Sequence, residues 1–172
     1  APVIRSELSN LGTKMVDVRT SIVLTIDQDV SAVEGKNIVF TDNTAVGYQA
    51  GLNVTTGVNN TLIGGLAGDA ITTGSSNAAL GYNSLGLNTT GARNVAMGAE
   101  SLSANTTGAD NVAIGEDALT ANTTGSDNAA TGSQALQNNT TGGSNSAFGR
   151  YAMLNNTTAS SNTAVGKGAL TS

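Results

Sequence analysis

The sequence predicts an all-β protein that winds into a repetitive β-solenoid, or β-roll, in which each coil contacts only its neighbours. The main observation is a 17-residue unit that repeats without insertion from Asn43 onward, in seven full copies and an eighth cut short at Ser172. A fixed period in this range is typical of a solenoid. The second observation is that each unit joins a run of small and aliphatic residues to turn-forming Asn, Thr and Gly,.

Two positions of the unit carry the same residue in all eight coils, and the Thr-Thr pair of positions 13 and 14 does so in the seven coils that include it. We number the coils 1 to 8 from Asn43 and the positions of each coil from its first Asn, so that position 1 is always Asn and position 5 is always Gly. At about 4.8 Å per coil, the Asn side-chain amides are expected to hydrogen-bond one another along the stack. The predicted structural ladder comprises Asn43, Asn60, Asn77, Asn94, Asn111, Asn128, Asn145 and Asn162, with Gly47, Gly64, Gly81, Gly98, Gly115, Gly132, Gly149 and Gly166.

The first five residues of each coil are the expected strand, as in residues 111–115. Alternate side chains of a strand face opposite ways, so the bulky residues of position 4 share one face and the alanines of position 3 share the other. Neither face is polar. We therefore expect both faces to be covered, by several chains packed together, with a homotrimer as the predicted assembly. The predicted core residues are Val46, Ile63, Leu80, Met97, Ile114, Phe148 and Val165.

The second limb of the coil, as in residues 116–122, is compatible with a strand or with a single helical turn. The Asn-Thr-Thr-Gly segment is then expected to make a corner, because Asn tolerates a left-handed backbone and Gly adopts positive φ. Ala159 replaces this Gly once. The Asn-Thr-Thr triplets also match N-glycosylation acceptors, but the corner explains every copy without a glycan. The candidate acceptors include Asn88, Asn105, Asn122, Asn139 and Asn156.

The first two coils depart from the unit. Gly51 and Gly68 stand at position 9, where five of the six later coils carry Leu. We expect these two coils to differ in shape from the rest, with Leu52 and Leu66 filling the vacated space.

Residues 1–42 do not share the repeat and form a separate predicted region, which precedes the solenoid of residues 43–172. They hold ten of the nineteen charged residues and two runs rich in β-branched residues, at 18–26 and 37–40. Such runs predict strands, while residues 6–16 suit a short helix or an extended arm. We interpret the region as an attachment segment or as a cap over the exposed edge of the first coil.

Composition argues against catalysis and against nucleic-acid binding. The chain has no Cys or His, which removes thiolate metal sites and the most common general base,. Its net charge is −5, and its seven basic residues are scattered rather than clustered, unlike a nucleic-acid footprint. No stretch approaches the length of a membrane span. We therefore predict no enzymatic activity, no cofactor, no metal site, no nucleic-acid partner and no membrane insertion.

The unit Asn-Thr-Ala-Val-Gly-Tyr-Gln-Ala of residues 43–50, with Asn-Thr-Thr-Gly segments such as 88–91, resembles the repeats of bacteriophage tail-fibre and related virion fibre proteins. It is similar also to the head repeats of trimeric autotransporter adhesins, whose shorter unit carries a strand like that of residues 113–115. The resemblance covers residues 43–172. It implies a homotrimeric, β-rich stalk or head at a virion or cell surface.

The resemblance favours a structural virion protein, either a tail-fibre segment or a capsid decoration. Residues 1–42 would bind other virion proteins, and the solenoid would project outward to a host-surface glycan or protein. The longer coil and the lack of adhesin-type heptads and membrane anchor make a bacterial surface adhesin, on the cell or secreted, the alternative. A third reading is an ice-binding solenoid, because regular Thr rows on such folds can order water.

Overall fold

The computed structural model describes residues 42–171, and these form one parallel β-solenoid. Its single sheet has eight three-residue strands in sequence order, and the described residues contain no helix. The predicted attachment segment, apart from Asp42, lies outside the described residues, as does Ser172. The strands are β1 Thr44–Val46, β2 Thr61–Ile63, β3 Ala78–Leu80, β4 Val95–Met97, β5 Val112–Ile114, β6 Ala129–Thr131, β7 Ser146–Phe148 and β8 Thr163–Val165.

Every strand pairs with the next at the same register. Val112 in β5 lies beside Ala129 in β6, a shift of 17 residues, and the other six pairs keep this shift. Side chains at one position of the unit therefore stack directly on one another along the solenoid. The predicted fold class, an all-β solenoid with 17-residue coils, is confirmed for the described residues.

The second limb of the coil is neither a strand nor a helical turn but a series of tight turns. Its backbone N–H groups donate alternately within the coil and to the following coil: Asn122 donates to the Leu119 carbonyl at 3.1 Å, and Leu119 donates to Ala135 at 3.0 Å. The limb turns because positions 7 and 9 have positive φ, with Asp117 at 57° and Leu119 at 54°.

A left-handed backbone at a bulky residue is rare and costs about 1–3 kcal/mol. Here it points the side chain of position 9 into the coil, where burial of a Leu contributes about 1.5–3 kcal/mol and offsets the strain. Four leucines with φ of 51–54° have no exposed surface: Leu85, Leu102, Leu119 and Leu136.

The interior of the coil consists of the small residues of position 3 and the leucines of position 9. Ala113 and Leu119 are both fully buried. The predicted core row at position 4 instead points outward: Ile63 is 37% exposed and Val165 is 73% exposed. The core prediction is therefore wrong for the single chain. The coil is narrow, so the strand turns its small side chains inward to make room for Leu, and the bulky ones face out.

Coils 1 and 2 keep the backbone of the others and change only what fills it. Gly51 and Gly68 retain the positive φ of position 9, at 62° and 55°. A methyl group on Gly68 would lie 2.7 Å from the Cδ1 atom of Ile71 and 2.8 Å from a Cδ atom of Leu62, so these two side chains occupy the Leu space. The expected change of coil shape is thus wrong. Leu66, the residue expected to fill the space left by Gly68, is only half-buried. Leu62 and Ile71 are fully buried and fill that space instead.

The Gly of the Asn-Thr-Thr-Gly segment is needed for close approach rather than for positive φ. Gly125 and its equivalents are absent from the residues with positive φ, and so is Asn122, which corrects the predicted reason for this corner. A methyl group on Gly125 would lie 2.4 Å from the carbonyl oxygen of Gly142 in the next coil. Ala159 stands at this position in coil 7, and its carbonyl accepts the Nδ2 of Asn145 at 2.8 Å, as the Gly carbonyl does in other coils.

Gly125→Ala should lower the free energy of unfolding by about 1–3 kcal/mol, because the added methyl overpacks a rigid backbone contact. The measurement is urea unfolding followed by circular dichroism. Gly65→Ala is the matched control, since a methyl there meets only the Cδ2 atom of Tyr82, at 3.6 Å. Equal stability of the two variants would show that the corner is looser than the structure indicates.

Candidate functional site

The Asn of position 1 closes each coil and ties it to the next. The Nδ2 of Asn111 donates to the carbonyl of Gly125, 14 residues later in the same coil, at 2.9 Å. Its Oδ1 accepts the backbone N–H of Asn128 at 3.0 Å and the Nδ2 of Asn128 at 3.1 Å. The ladder Asn side chains therefore bond one another along the stack, and Asn111 is fully buried.

A second buried ladder runs through the Asn of position 12. Asn122 donates its Nδ2 to the Oδ1 of Asn105 at 3.0 Å and to the carbonyl of Gly125 at 3.0 Å. The Gly125 carbonyl, which accepts from Asn111 as well, thus receives two buried amide donors. The sequence predicts this Asn as a corner residue and does not predict that it forms a second ladder. The signal was in the sequence, because coils 1 and 2 replace it with Val54 and Ile71, as suits an interior position.

These bonds bear on glycosylation. Asn88, Asn105, Asn122 and Asn139 are fully buried, and the Nδ2 atom that a glycan would modify is already hydrogen-bonded in each. A glycan at any of them would break the folded coil. The folded solenoid thus favours the structural reading of the Asn-Thr-Thr triplets.

The two threonines of each triplet face different ways. The Oγ1 of Thr106, at position 13, donates to the carbonyl of Thr123 in the next coil at 3.0 Å, so its hydroxyl is engaged within the stack. Position 14 is exposed in every coil that has it. The result is a single straight row of exposed threonines: Thr56, Thr73, Thr90, Thr107, Thr124, Thr141 and Thr158.

The outward face of the sheet is a stripe of large apolar side chains. Position 4 supplies exposed residues from Val46, at 53%, to Val165, at 73%, with Thr131 as the one polar member. Its members stack at about 4.8 Å, so eight coils give a stripe roughly 34 Å long. Contiguous apolar surface of this kind marks an interaction face. The residues predicted as core are thus brought together, but on the surface.

Charged side chains are few and mostly isolated. Arg93 donates from Nε to Oδ1 of Asp110 at 2.6 Å and from Nη2 to Oδ2 at 2.7 Å. The hydrogen bonds from Arg93 lower the pKa of Asp110, whereas burial raises the pKa of Asp69. Because the Arg93–Asp110 pair is solvent-exposed, it contributes little to stability,.

The polar groups of residues 42 to 171 are dispersed over the surface or engaged within the fold. No three of their His, Cys, Asp and Glu side chains are grouped so as to hold a metal ion. No helix of this region is long and apolar enough to cross a membrane. Each buried side-chain nitrogen or oxygen there has a hydrogen-bond partner. The buried amides are therefore structural, and any binding chemistry belongs to the outward positions.

Asn111→Asp should destabilise the solenoid most at neutral pH, because it replaces the buried donor to Gly125 by a carboxylate oxygen that faces the Gly125 carbonyl,. Burial raises the folded-state pKa of this carboxyl above its unfolded value, so the folded state binds the proton more tightly. The loss of stability relative to the unmutated chain should therefore shrink as pH falls through the raised pKa. Urea unfolding at pH 7 and pH 4 measures it.

Asn138→Asp is the control for that experiment, because Asn138 is exposed and its amide bonds only the exposed Asn155 side chain, at 3.3 Å. It should change stability by less than about 0.5 kcal/mol at either pH. A penalty at position 111 that does not depend on pH would contradict the buried-amide account.

No family model, curated protein or solved structure matches the chain, so the geometry of its surfaces carries the functional argument.

Proposed function

We propose that this chain is a non-enzymatic structural protein of a bacteriophage virion, a projecting fibre or a capsid decoration. Residues 1–42 attach it to other virion proteins, and the solenoid extends outward as a rigid rod. The observation that carries the proposal is the unbroken stack. Eight coils share one register, and each is tied to the next by backbone and buried amide hydrogen bonds.

The rod-like stack supports a scaffold rather than a catalyst. Catalysis requires a few groups converging on one point, whereas this fold repeats the same positions at equal intervals along an axis. A projecting surface protein instead needs length, stiffness and a surface on which substitutions are tolerated. The resemblance of residues 43–50 to tail-fibre repeats favours the virion surface over a bacterial adhesin head, on the cell or secreted.

The apolar stripe supports a homotrimer as the functional unit. A monomer would leave Ile63, Leu80, Met97, Ile114 and Phe148 between 37% and 45% exposed along one face. Three copies in parallel around a common axis would set identical rows against one another at the same coil spacing. The stripe would then become a shared core, which reconciles its outward direction in one chain with its apolar character.

A second candidate, ice binding, is favoured by the row of exposed threonines at position 14. Its weakness is that the row is single, since the hydroxyls of position 13 are bonded to the next coil. Matching the two-dimensional lattice of an ice surface requires a second exposed row of threonines beside the first. The purified chain is expected to show no thermal hysteresis in a freezing assay, and clear hysteresis would make ice binding the better assignment.

Two observations test the virion role: the identity of the neighbouring genes and the labelling of purified phage particles. Capsid or tail genes on either side, and labelling of phage particles by an antibody raised against residues 43–171, are the expected results. Flanking secretion genes, with labelling of bacterial cells instead, would overturn the proposal in favour of an adhesin.

Ile114→Asp should abolish the trimer without unfolding the coil, because Ile114 is 39% exposed in the single chain and a charge there is buried only by association. Light scattering should report a monomer, and circular dichroism should be unchanged. Leu119→Asp, in the same coil, should unfold the protein because it places the charge in the interior.

Thr124→Asp controls for the added charge, since Thr124 is exposed on another side of the same coil. It should remain trimeric. A monomeric unmutated protein, or an Ile114→Asp variant that stays trimeric, would show that the apolar stripe is not the interface.

A further inference from the structure

Two of the three tyrosines of the chain occupy the same position of the unit. Tyr48 and Tyr82 stand at position 6 of coils 1 and 3, and Gly65 holds that position in coil 2 between them. Their side chains are 56% and 57% exposed. Exposed aromatics are otherwise scarce on this solenoid, so the pair forms a local feature, which we call the tyrosine platform.

Only Gly65 lies between the two tyrosines, which leaves a gap in the row of position-6 side chains. The shared register places Tyr48 and Tyr82 two coils apart, about 9.6 Å along the axis. Gly65 contributes no side chain, and a methyl group built there would meet only the Cδ2 atom of Tyr82, at 3.6 Å. Gly65 also lacks positive φ, so nothing in its backbone requires glycine. The edge of the Tyr82 ring therefore lies beside Gly65, and no other group comes within 4 Å of that methyl position.

The backbone beneath the platform is fixed. The N–H of Leu66 donates to the Tyr48 carbonyl at 2.7 Å, and the N–H of Asn83 donates to the Gly65 carbonyl at 2.9 Å. Each tyrosine is thus held one coil from Gly65 by a hydrogen bond of the stack. A rigid aromatic spacing lowers the ordering cost of binding an extended ligand.

The surroundings of the platform are neutral. Residues 43–91 carry a single charged side chain, Asp69, which lies at position 10 rather than beside the rings. The residues that follow the tyrosines, Gln49 and Asn83, carry uncharged amides. Position 6 becomes charged only in later coils, at Glu116, Arg150 and Lys167. The platform therefore offers no electrostatic attraction to an ionic ligand.

We infer that Tyr48, Gly65 and Tyr82 form a binding platform for a neutral polysaccharide that lies along the solenoid axis. Sugar rings present C–H faces that stack on aromatic rings, while tyrosine hydroxyls and amides hydrogen-bond sugar hydroxyls. Two exposed tyrosines at the same position of coils 1 and 3, with their backbones about 9.6 Å apart along the axis, suit a linear chain of repeating sugars. The inference deepens the proposed function by naming a ligand class, and rests on it only for display of the solenoid on a surface.

Affinity electrophoresis of the full chain tests the platform. Native gels contain a soluble neutral polysaccharide: hydroxyethylcellulose, xyloglucan, galactomannan or dextran. We expect retardation in at least one of them and none in anionic alginate. Tyr48→Ala and Tyr82→Ala should each weaken binding about two- to tenfold, and the double variant more. Gly65→Leu should fill the gap and weaken binding without disturbing the coil.

Two controls separate binding from folding. Tyr151→Ala removes the third tyrosine, whose ring lies under the Arg150 guanidinium at 4.4 Å, in coil 7. Ser133→Leu adds the same side chain at position 6 of coil 6. Both should bind like the unmutated chain, and every variant should keep its circular dichroism and unfolding midpoint.

Three results would overturn the platform: no retardation by any neutral polysaccharide, equal retardation of the platform and control variants, or a change of oligomeric state in the platform variants. The last would show that a second copy covers the rings. Each of these leaves the particle-labelling result untouched, so the platform and the virion role fail separately.

Discussion

The inward-pointing carbonyl of position 15 is the group on which the structure depends. Each coil has only one three-residue strand, so a sheet alone cannot close it. The amide of position 1 closes it by bonding this carbonyl, as Asn111 does with Gly125. An inward carbonyl without donors would cost about 1–3 kcal/mol. A methyl group at Gly125 would lie 2.4 Å from the equivalent carbonyl oxygen of the next coil, at Gly142. Asn and Gly are therefore fixed by one constraint.

That constraint limits what else the coil can hold. Two buried amides and a peptide carbonyl leave an interior that suits one Leu and two small residues, such as Leu119 with Ala113 and Ala118. Coil 2 shows the limit directly, because Leu62 and Ile71 are present where Gly68 replaces Leu. Large aliphatic side chains must consequently face outward. Their exposure is thus a consequence of the narrow coil, and it motivates the proposed trimer.

The sequence predicts the period, register and strand position because each rests on a strict repetition. It does not predict which strand face is interior, because Ala113 and Ile114 are both apolar and alternation alone assigns no direction. The choice depends on coil width, which the second limb sets through positive φ at Leu119. A left-handed Leu contradicts ordinary preference, so no local rule would propose it. The second ladder at Asn122 is not predicted for a related reason. Asn suits a turn and also a buried hydrogen-bond ladder, so its repetition does not separate the two roles.

Variation along the stack separates what folds the protein from what it can recognise. Position 1 is Asn in all eight coils, whereas position 6 reads Tyr, Gly, Tyr, Ala, Glu, Ser, Arg and Lys in order. The first set is tied into the ladder, and the second projects from a corner that backbone hydrogen bonds to the next coil hold. A substitution at position 6 therefore changes the surface without changing the coil. A fold built this way can carry different chemistry on each coil, so the sugar binding proposed at Tyr48 and Tyr82 would be local to a few coils and not a property of the repeat.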